Sequence, residues 1–340
     1  MLLADSLSLA LRLFGVDSVC VERRLLKRYS RYSGPLLLQR IAVDILLRRV
    51  GLVFSECRGA PIALYKGVAV LAERGAGLRG AARLVGRIGG NDVAELLERI
   101  RPRTPKIVID MLMWEVMSES EKREFFKQLL VLLSVVRNYL FDDMLALAPT
   151  PPEVTRWASR AGLHSRVVFA ECTASQLLKR WGVRRVVVLD PYAPKPLGPG
   201  ELTEADAFIL GGVIDKEFVR PYATYAIYLL EEFERRGIEA FRRRLELWGS
   251  VVGVPDRLNK VVEVVLKARM DSEPLDTAIL STMSFSDKVS RLLHEVQRAG
   301  KGEVVCIDDV YRAGLRLGLG GDELERAVRK VARSVGASEC

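Results

Sequence analysis

Ala207-Phe208-Ile209-Leu210-Gly211-Gly212-Val213-Ile214-Asp215-Lys216 is the stretch on which the reading of this chain turns. A short apolar run closed by glycines has the length and make-up of a buried strand, here predicted over Ala207 to Leu210. Gly211 and Gly212 allow positive φ and let the backbone approach a ligand with no Cβ in the way. A carboxylate, Asp215, follows, where a dinucleotide or nucleotide fold would place a phosphate-cradling helix. Neither GxGxxG nor GxxxxGK[ST] occurs around it, so both of those classes lose their main support. Taken alone, the glycine pair also describes a tight turn, and Asp215 could cap a helix after it.

The flanks repeat the same rhythm. Upstream, Lys106 to Asp110, Arg166 to Phe169 and Arg185 to Leu189 are predicted strands. Helices are predicted from Ser118 to about Asn138, with a Ser118/Glu121 capping box, and from Thr173 to Trp181, ending at Gly182. Downstream come a helix from Tyr222 to Arg236, a β-prone piece from Arg244 to Trp248 and a helix from Arg257 to Arg269. Strands alternating with helices predict an α/β domain with a parallel sheet, over 104–270. Ligands of such sheets sit in loops beyond the carboxyl ends of strands. Three loops qualify: Leu189 to Pro194, Gly211 to Lys216, and Val252 to Asp256 after the Arg244 to Trp248 piece.

Residues 1–103 form an α+β unit in this reading, bounded by Pro102 and Pro105. Met1 to Val21 is expected as an amphipathic helix, not a leader peptide. Pro35 to Val50 shows helical spacing, Leu52 to Phe54 and Ile62 to Tyr65 resemble strands, and glycines from Gly75 to Gly90 mark turns. Residues 271–340 are expected as a small, mostly helical unit, compatible with a winged helix: a strand Gly302 to Ile307, a helix Asp308 to Leu317 and a helix Asp322 to Val335.

The chain has 340 residues, of which 52 Lys plus Arg stand against 43 Asp plus Glu, a net charge of +9. That balance suits a polyanionic partner without naming one. Arginine outnumbers lysine and amides are few, as in proteins from hot sources. Five cysteines (Cys20, Cys57, Cys172, Cys306, Cys340) show no metal-ligand or disulfide spacing and are expected to be reduced, in a cytoplasmic protein. No apolar run is long enough to span a bilayer. His164 and His294 have no ligand-type neighbours, so no metal is expected.

The run from Ala207 to Lys216 resembles the signature of the tRNA position-9 purine N1-methyltransferases, a branch of the SPOUT superfamily. The likeness extends from about Lys106 to Arg269, and the arginine-rich flanks suit archaeal-type members. The resemblance implies a core with a C-terminal trefoil knot, an exception to the rule against threaded chains. It implies S-adenosylmethionine as cofactor, a tRNA substrate, and action as a monomer without membrane or obligate protein partner. The cofactor would lie against Leu189, Asp190 and Pro191 in the first loop, and against Gly211, Gly212, Val213 and Asp215 in the second. The third loop would add Leu247, Trp248, Gly253, Val254 and Pro255, with Leu258 opening the last helix. The family's proposed catalytic aspartate falls on Asp215, with Asp256 and Asp190 as further acidic candidates. Asp256 would equally serve as an N-cap for the last helix, and Trp248 as a core residue.

These roles make chemical sense. N1 of guanine carries a proton that a base must take. Adenine N1 has a free lone pair, and its methylation creates a cation that a carboxylate stabilises. Phosphate contacts are expected from Arg242, Arg243, Arg244 and Lys216, and from the Arg23, Arg24, Lys27, Arg28 cluster near the amino terminus, where Tyr29 and Tyr32 could stack on bases. The alternatives are another SPOUT RNA methyltransferase, or a basic RNA-binding protein with an inactive core.

Overall fold

The computed structural model describes residues 2–86, 92–163, 165–299 and 305–338. The chain forms two compact units, Met1–Met111 with Leu133–Ala174, and Leu112–Leu132 with Ser175–Cys340.

The first unit opens with helix Leu3–Leu13, whose apolar side is buried. It does not continue to Val21: Gly15 turns the chain at φ 72°, and β1 (Ser18–Val21) follows. Helix Gly34–Leu46 leads into β2 (Val50–Tyr65), β3 (Val68–Glu73) and β4 (Leu78–Gly86). The four strands close into a barrel in the order β1-β3-β2-β4. β2 is a single strand where the sequence pattern suggests two short ones. Register shifts at Phe54/Cys57 and Pro61/Ala63 break its alternation, the pattern by which a strand is recognised in sequence. Leu3, Leu7 and Leu11 pack with Leu38, Ile41, Ile45, Val70 and Leu84 into one buried cluster that also takes in Phe141.

The expectation of reduced cysteines is corrected here. Cys20 on β1 and Cys57 on β2 form a disulfide, Cys306 is also disulfide-bonded, and Cys172 is a free, half-buried thiol. Cysteines from different barrel strands meet through tertiary structure, which leaves no mark in their spacing.

The first unit also holds β5 (Lys106–Asp110), β6 (Leu145–Ala148) and β7 (Val168–Phe169), paired in parallel. β6 reads Leu-Ala-Leu-Ala, with no β-branched residue to announce a strand, yet all of it is buried. The second unit carries β8 (Arg185–Leu189), β9 (Ala207–Gly211) and β10 (Glu239–Arg243), all parallel, with β8 between the other two. The apolar, two-sided burial of β8 and β9 is that of a parallel sheet between helices. The strand expected over Arg244 to Trp248 lies instead at Glu239–Arg243. There the pairing runs from Glu239↔Arg185 to Arg243↔Leu189, and charged residues at the end of the sheet obscure the pattern.

The predicted Tyr222 to Arg236 helix divides into Ala223–Leu230 and a short 3-10 turn, Glu234–Arg236, separated by Glu232 at φ 46°. Helix Leu258–Met270 closes the region. Helices Phe285–Ala299, Ile307–Arg316 and Gly321–Val335 follow, with a single bridge between Cys306 and Ser338. The expected Gly302 to Ile307 strand, the glycine turns at Gly89 and Gly90, and His164 lie wholly or in part outside the described residues. No described helix is long and apolar enough to cross a membrane.

Candidate active site

The second unit builds its site from the start of one helix. Ser118 and Glu121 form the capping box of helix Glu119–Val136: the Ser118 amide donates to Glu121 Oε2 at 2.9 Å, and the Glu121 amide donates to Ser118 Oγ at 3.3 Å. Glu121 is fully buried, and its carboxylate does more than cap. Its Oε1 accepts from the amides of Lys216 and Glu217, each at 3.2 Å. The Arg220 guanidinium meets both oxygens, at 3.0 Å and 2.9 Å. Arg220, with the backbone amides behind it, pulls the Glu121 carboxyl down to about 2. The loop after β9 is therefore held by a charge-assisted network under it.

Asp215 lies on this anchor, exposed. One of its oxygens lies 3.3 Å from the Arg220 guanidinium, and the other accepts the Arg220 amide at 3.1 Å. It does not cap a helix, since the next helix begins at Ala223 with Tyr222 in the N-cap position. Arg220 also donates to the carbonyls of Val116 and Phe218, so both terminal nitrogens of its fork are engaged. Sequence reasoning missed Arg220 and the second role of Glu121. The capping box was legible; its link to a loop 95 positions on was not.

Neither Gly211 nor Gly212 takes the positive φ expected of them. Gly211 is favoured for a different reason: a Cβ there would stand 3.0 Å from Thr224 Oγ1 and 3.3 Å from Ile227 Cδ1, a tight fit that those two side chains would have to yield to. Helix Ala223–Leu230 thus packs directly on the backbone where the second loop begins.

Asp190, at the end of β8, is buried. Its Oδ1 accepts the Tyr192 amide at 2.9 Å, and its Oδ2 makes no hydrogen bond, facing only Arg242 at 3.2 Å. Burial pushes its carboxyl above the ordinary aspartate range, against the opposing pull of the Tyr192 amide and of Arg242. Arg242 lies in turn over the Tyr225 ring, 4.1 Å from its centroid.

The third loop is shaped from the carboxy-terminal helices. Arg291, fully buried on helix Phe285–Ala299, donates to the carbonyls of Leu247, Ser250 (3.2 Å) and Val252 (3.3 Å), and pairs with Glu295 at 2.7 Å. Trp248 is half-buried at φ 49°, with the Arg291 and Arg316 guanidiniums 5.4 Å and 4.9 Å from its ring centroid. It is a loop residue clamped by cations, which corrects its reading as a core residue. A Cβ on Gly253, at φ 73°, would come within 2.5 Å of the Asp287 carbonyl. That glycine needs both its positive φ and the space.

Asp256 is exposed and does not cap the last helix: Arg257 takes the N-cap position, and the Leu258 amide is met by Gln128 Oε1 at 3.1 Å. No hydrogen bond or ion pair of Asp215 among the described residues reaches Asp190 or Asp256. No group of three or more His, Cys, Asp or Glu among the described residues could hold a metal.

Most of the arginines expected to contact phosphate are already engaged. Arg243 forks onto Glu201, Arg244 onto Glu246 and the Ala193 carbonyl, and Arg242 makes a single charge contact with Asp190. In the first unit Arg24 pairs with Glu22 and Arg28 with Asp44. Lys216 reaches Ser120 Oγ at 3.4 Å and stays exposed.

No protein-family model matches the chain. It is 31% identical over 300 residues to a tRNA (adenine(9)-N1)-methyltransferase of Sulfolobus acidocaldarius, covering 88% of this chain and 90% of that one. The chain belongs to the tRNA position-9 purine N1-methyltransferase family. A second member of the family, the tRNA (guanine(9)-/adenine(9)-N1)-methyltransferase of Thermococcus kodakarensis, is 31% identical over 185 residues, covering 54% of this chain and 48% of that one. The crystal structure of Sulfolobus acidocaldarius Trm10 in complex with S-adenosylhomocysteine superposes with a TM-score of 0.73 at 26% identity, covering 97% of this chain and 99% of that one. Within this family fold, Glu121 and Arg291 are the side chains that fix the second and third loops.

Proposed function

We propose that this protein transfers a methyl group from S-adenosylmethionine to N1 of the purine at position 9 of tRNA. Membership of the family, over nearly the whole chain, is the observation that carries the reading. The two relatives are named for adenine and for either purine, and we take adenine as the first substrate to test.

The residues fit the cofactor. Three loops leave neighbouring parallel strands on the side where such sheets bind ligands, and each is pinned by a buried charged group: Asp190, Glu121 or Arg291. Leu189 to Pro191, Gly211 to Val213, and Leu247 to Trp248 with Gly253 to Pro255 and Leu258 would hold it, largely through backbone groups. Asp190 Oδ2 keeps free acceptor capacity for a cofactor donor. When bound, the cofactor supplies an electrophilic methyl group.

Asp215 is then the catalytic carboxylate. With guanine it takes the N1 proton; with adenine it faces the positive charge that methylation creates. Arg220 holds it in place through its side chain and its own amide. Asp256, exposed and unpartnered among the described residues, serves in a lesser role at the rim. The methyl-transfer core is assigned to 104–270, threaded as a trefoil knot, with 1–103 and 271–340 as RNA-facing flanks on a cytoplasmic monomer. Arg23 and Lys27, the members of the amino-terminal cluster with no ion pair among the described residues, remain phosphate contacts in this reading, with Lys216.

The test uses unmodified tRNA transcripts with A or G at position 9, labelled S-adenosylmethionine and nucleoside mass spectrometry. We expect 1-methyladenosine or 1-methylguanosine at that position. Asp215→Asn should lower kcat by about 10²–10⁴-fold while cofactor affinity is kept. Absence of methyl transfer to either transcript would overturn the proposal.

A further inference from the structure

The barrel of the first unit carries a row of arginines that no carboxylate among the described residues neutralises. Arg58 on β2 stands directly opposite Arg79 on β4. On its other side β2 pairs with β3 up to Gly59↔Glu73, and the next residue, Arg74, donates its amide to the Arg58 carbonyl at 2.9 Å. Residues opposite each other in an antiparallel ladder project from the same face, so Arg58 and Arg79 stand side by side on two strands, and Arg74, one residue past the end of β3 and hydrogen-bonded to the Arg58 backbone, extends the line on the other side. At the usual strand spacing of about 4.8 Å, the line places three guanidiniums over roughly 10 Å of surface.

All three are exposed. None makes a side-chain hydrogen bond or ion pair among the described residues. Glu73, beside Arg74 in the chain, is taken by Arg83, and Glu56, two residues before Arg58, makes no ion pair with any of the three among the described residues. Like charges placed directly opposite in a sheet are destabilising, and the remedy found elsewhere in this chain, a carboxylate partner, is missing here.

The row is also rigidly mounted. The next pair along is Cys57↔Gly80, and Cys57 is disulfide-bonded to Cys20 on β1. A Cβ on Gly80 would lie 2.5 Å from Cys57 Sγ and 2.9 Å from Cys20 Sγ, and one on Gly77 would lie 2.3 Å from the Gly59 carbonyl oxygen. Under the arginines the backbone is stapled and closely packed.

We propose that Arg58, Arg74 and Arg79 are a phosphate-backbone site through which the amino-terminal barrel grips its RNA substrate. A line of evenly spaced, unpaired guanidiniums fits successive phosphates along one strand, and such interactions set position without reading sequence. The inference takes from the proposed function only the identity of the polyanion, tRNA.

The experiment measures tRNA affinity against KCl concentration for the full-length protein and for the triple variant Arg58→Ala/Arg74→Ala/Arg79→Ala. Each arginine–phosphate pair removed should reduce the slope of log K against log[salt] by about 0.7–0.9, so the triple variant should shed about 2–3. Its Kd should rise at least about tenfold at moderate salt, and cofactor affinity should not change. Thermal unfolding gives a second readout. Removing like-charged neighbours should leave Tm unchanged or raised, whereas arginines with a structural role would lower it. The triple lysine variant should recover most of the slope, since the slope counts charge. Unchanged slope and Kd, or a lowered Tm accounting for the weaker binding, would overturn the proposal. The two readings fail separately. If wild type grips tRNA but transfers no methyl while the triple variant lets go, the barrel site stands and the enzymatic reading falls. Methylation by a triple variant with unaltered binding has the opposite meaning.

Discussion

Arginine serves opposite purposes in two regions of this molecule. Around the three loops of the second unit, Arg220, Arg242, Arg243, Arg244 and Arg291 each have a carboxylate partner, and several also donate to backbone carbonyls. On the barrel of the first unit, Arg58, Arg74 and Arg79 are exposed and have none among the described residues. The guanidinium fork suits both uses. Buried, it organises loops by satisfying several acceptors at once; exposed beside its like, it leaves a charge for a ligand to neutralise. A count of arginines along the chain cannot separate these roles, because the separation is made by which carboxylates the fold brings near.

The comparison breaks most visibly at Arg291. Arg291→Ala leaves the carbonyls of Leu247, Ser250 and Val252 and the Glu295 carboxylate without their shared partner. Removing one side of a buried pair costs about 3–5 kcal/mol, so denaturant unfolding should shift by that amount and cofactor affinity should fall with it. Arg291→Lys should recover little, since a point charge cannot meet three carbonyls in one plane. An unchanged midpoint in Arg291→Ala would mean that the third loop is held by other means. On the barrel, the Cys20–Cys57 disulfide is the element to remove. Its closed loop spans 37 residues, for which chain entropy gives a stabilisation of about 3–4 kcal/mol. Cys20→Ala/Cys57→Ala should lower Tm accordingly, and should weaken tRNA binding less than removal of the arginines does.

Glu121 comes next in size and carries a pH signature. Its folded carboxyl lies at about 2, against an ordinary value of 4.5. A carboxyl lowered on folding adds stability above its ordinary value and loses it as pH falls toward the folded value. The wild-type protein should therefore lose stability between about pH 4.5 and 2 in part through this group. Glu121→Gln keeps the shape but gives up charge-assisted bonds to Arg220, at a cost of about 1.5–3 kcal/mol near neutrality. The difference between variant and wild type should shrink across that acid window. A constant difference down to pH 2 would show that Glu121 acts through packing alone.

Much of this architecture was legible in the sequence. Lys106 to Asp110 and Arg185 to Leu189 are strands within the bounds that composition and periodicity suggest, because both are apolar runs buried on two faces. The capping box at Ser118 was visible because its two members lie three residues apart. What stayed hidden depends on long-range pairing. Arg220 with Glu121, Arg291 with the third loop, and Cys20 with Cys57 are joined by tertiary structure, and neither side chain of such a pair marks the other in the sequence. β6 was hidden differently, since Leu-Ala-Leu-Ala favours a helix until the sheet claims it. Asp215 was recognisable only through its motif. Its surroundings, an exposed carboxylate over a buried ion pair, could not be read from spacing.

The smallest expected effect is the sharpest test of the contrast. Arg243 is an attractive phosphate ligand on sequence grounds, standing in a run of three arginines near the cofactor loops. In the fold it grips both oxygens of Glu201, and both groups are largely shielded. Arg243 holds the Glu201 carboxyl below its ordinary range, so that this carboxylate too stays charged and paired. Arg243→Gln should then cost about 1 kcal/mol in stability and leave the salt dependence of tRNA binding where it was. Arg58→Gln should do the reverse, sparing stability while flattening the salt dependence by nearly one unit. Measured side by side on one tRNA, two arginine substitutions of identical chemistry would separate along different axes. If Arg243→Gln instead flattened the salt dependence as Arg58→Gln does, its pairing with Glu201 would have to open when RNA binds, and the line between the two kinds of arginine would be drawn by the ligand and not by the fold.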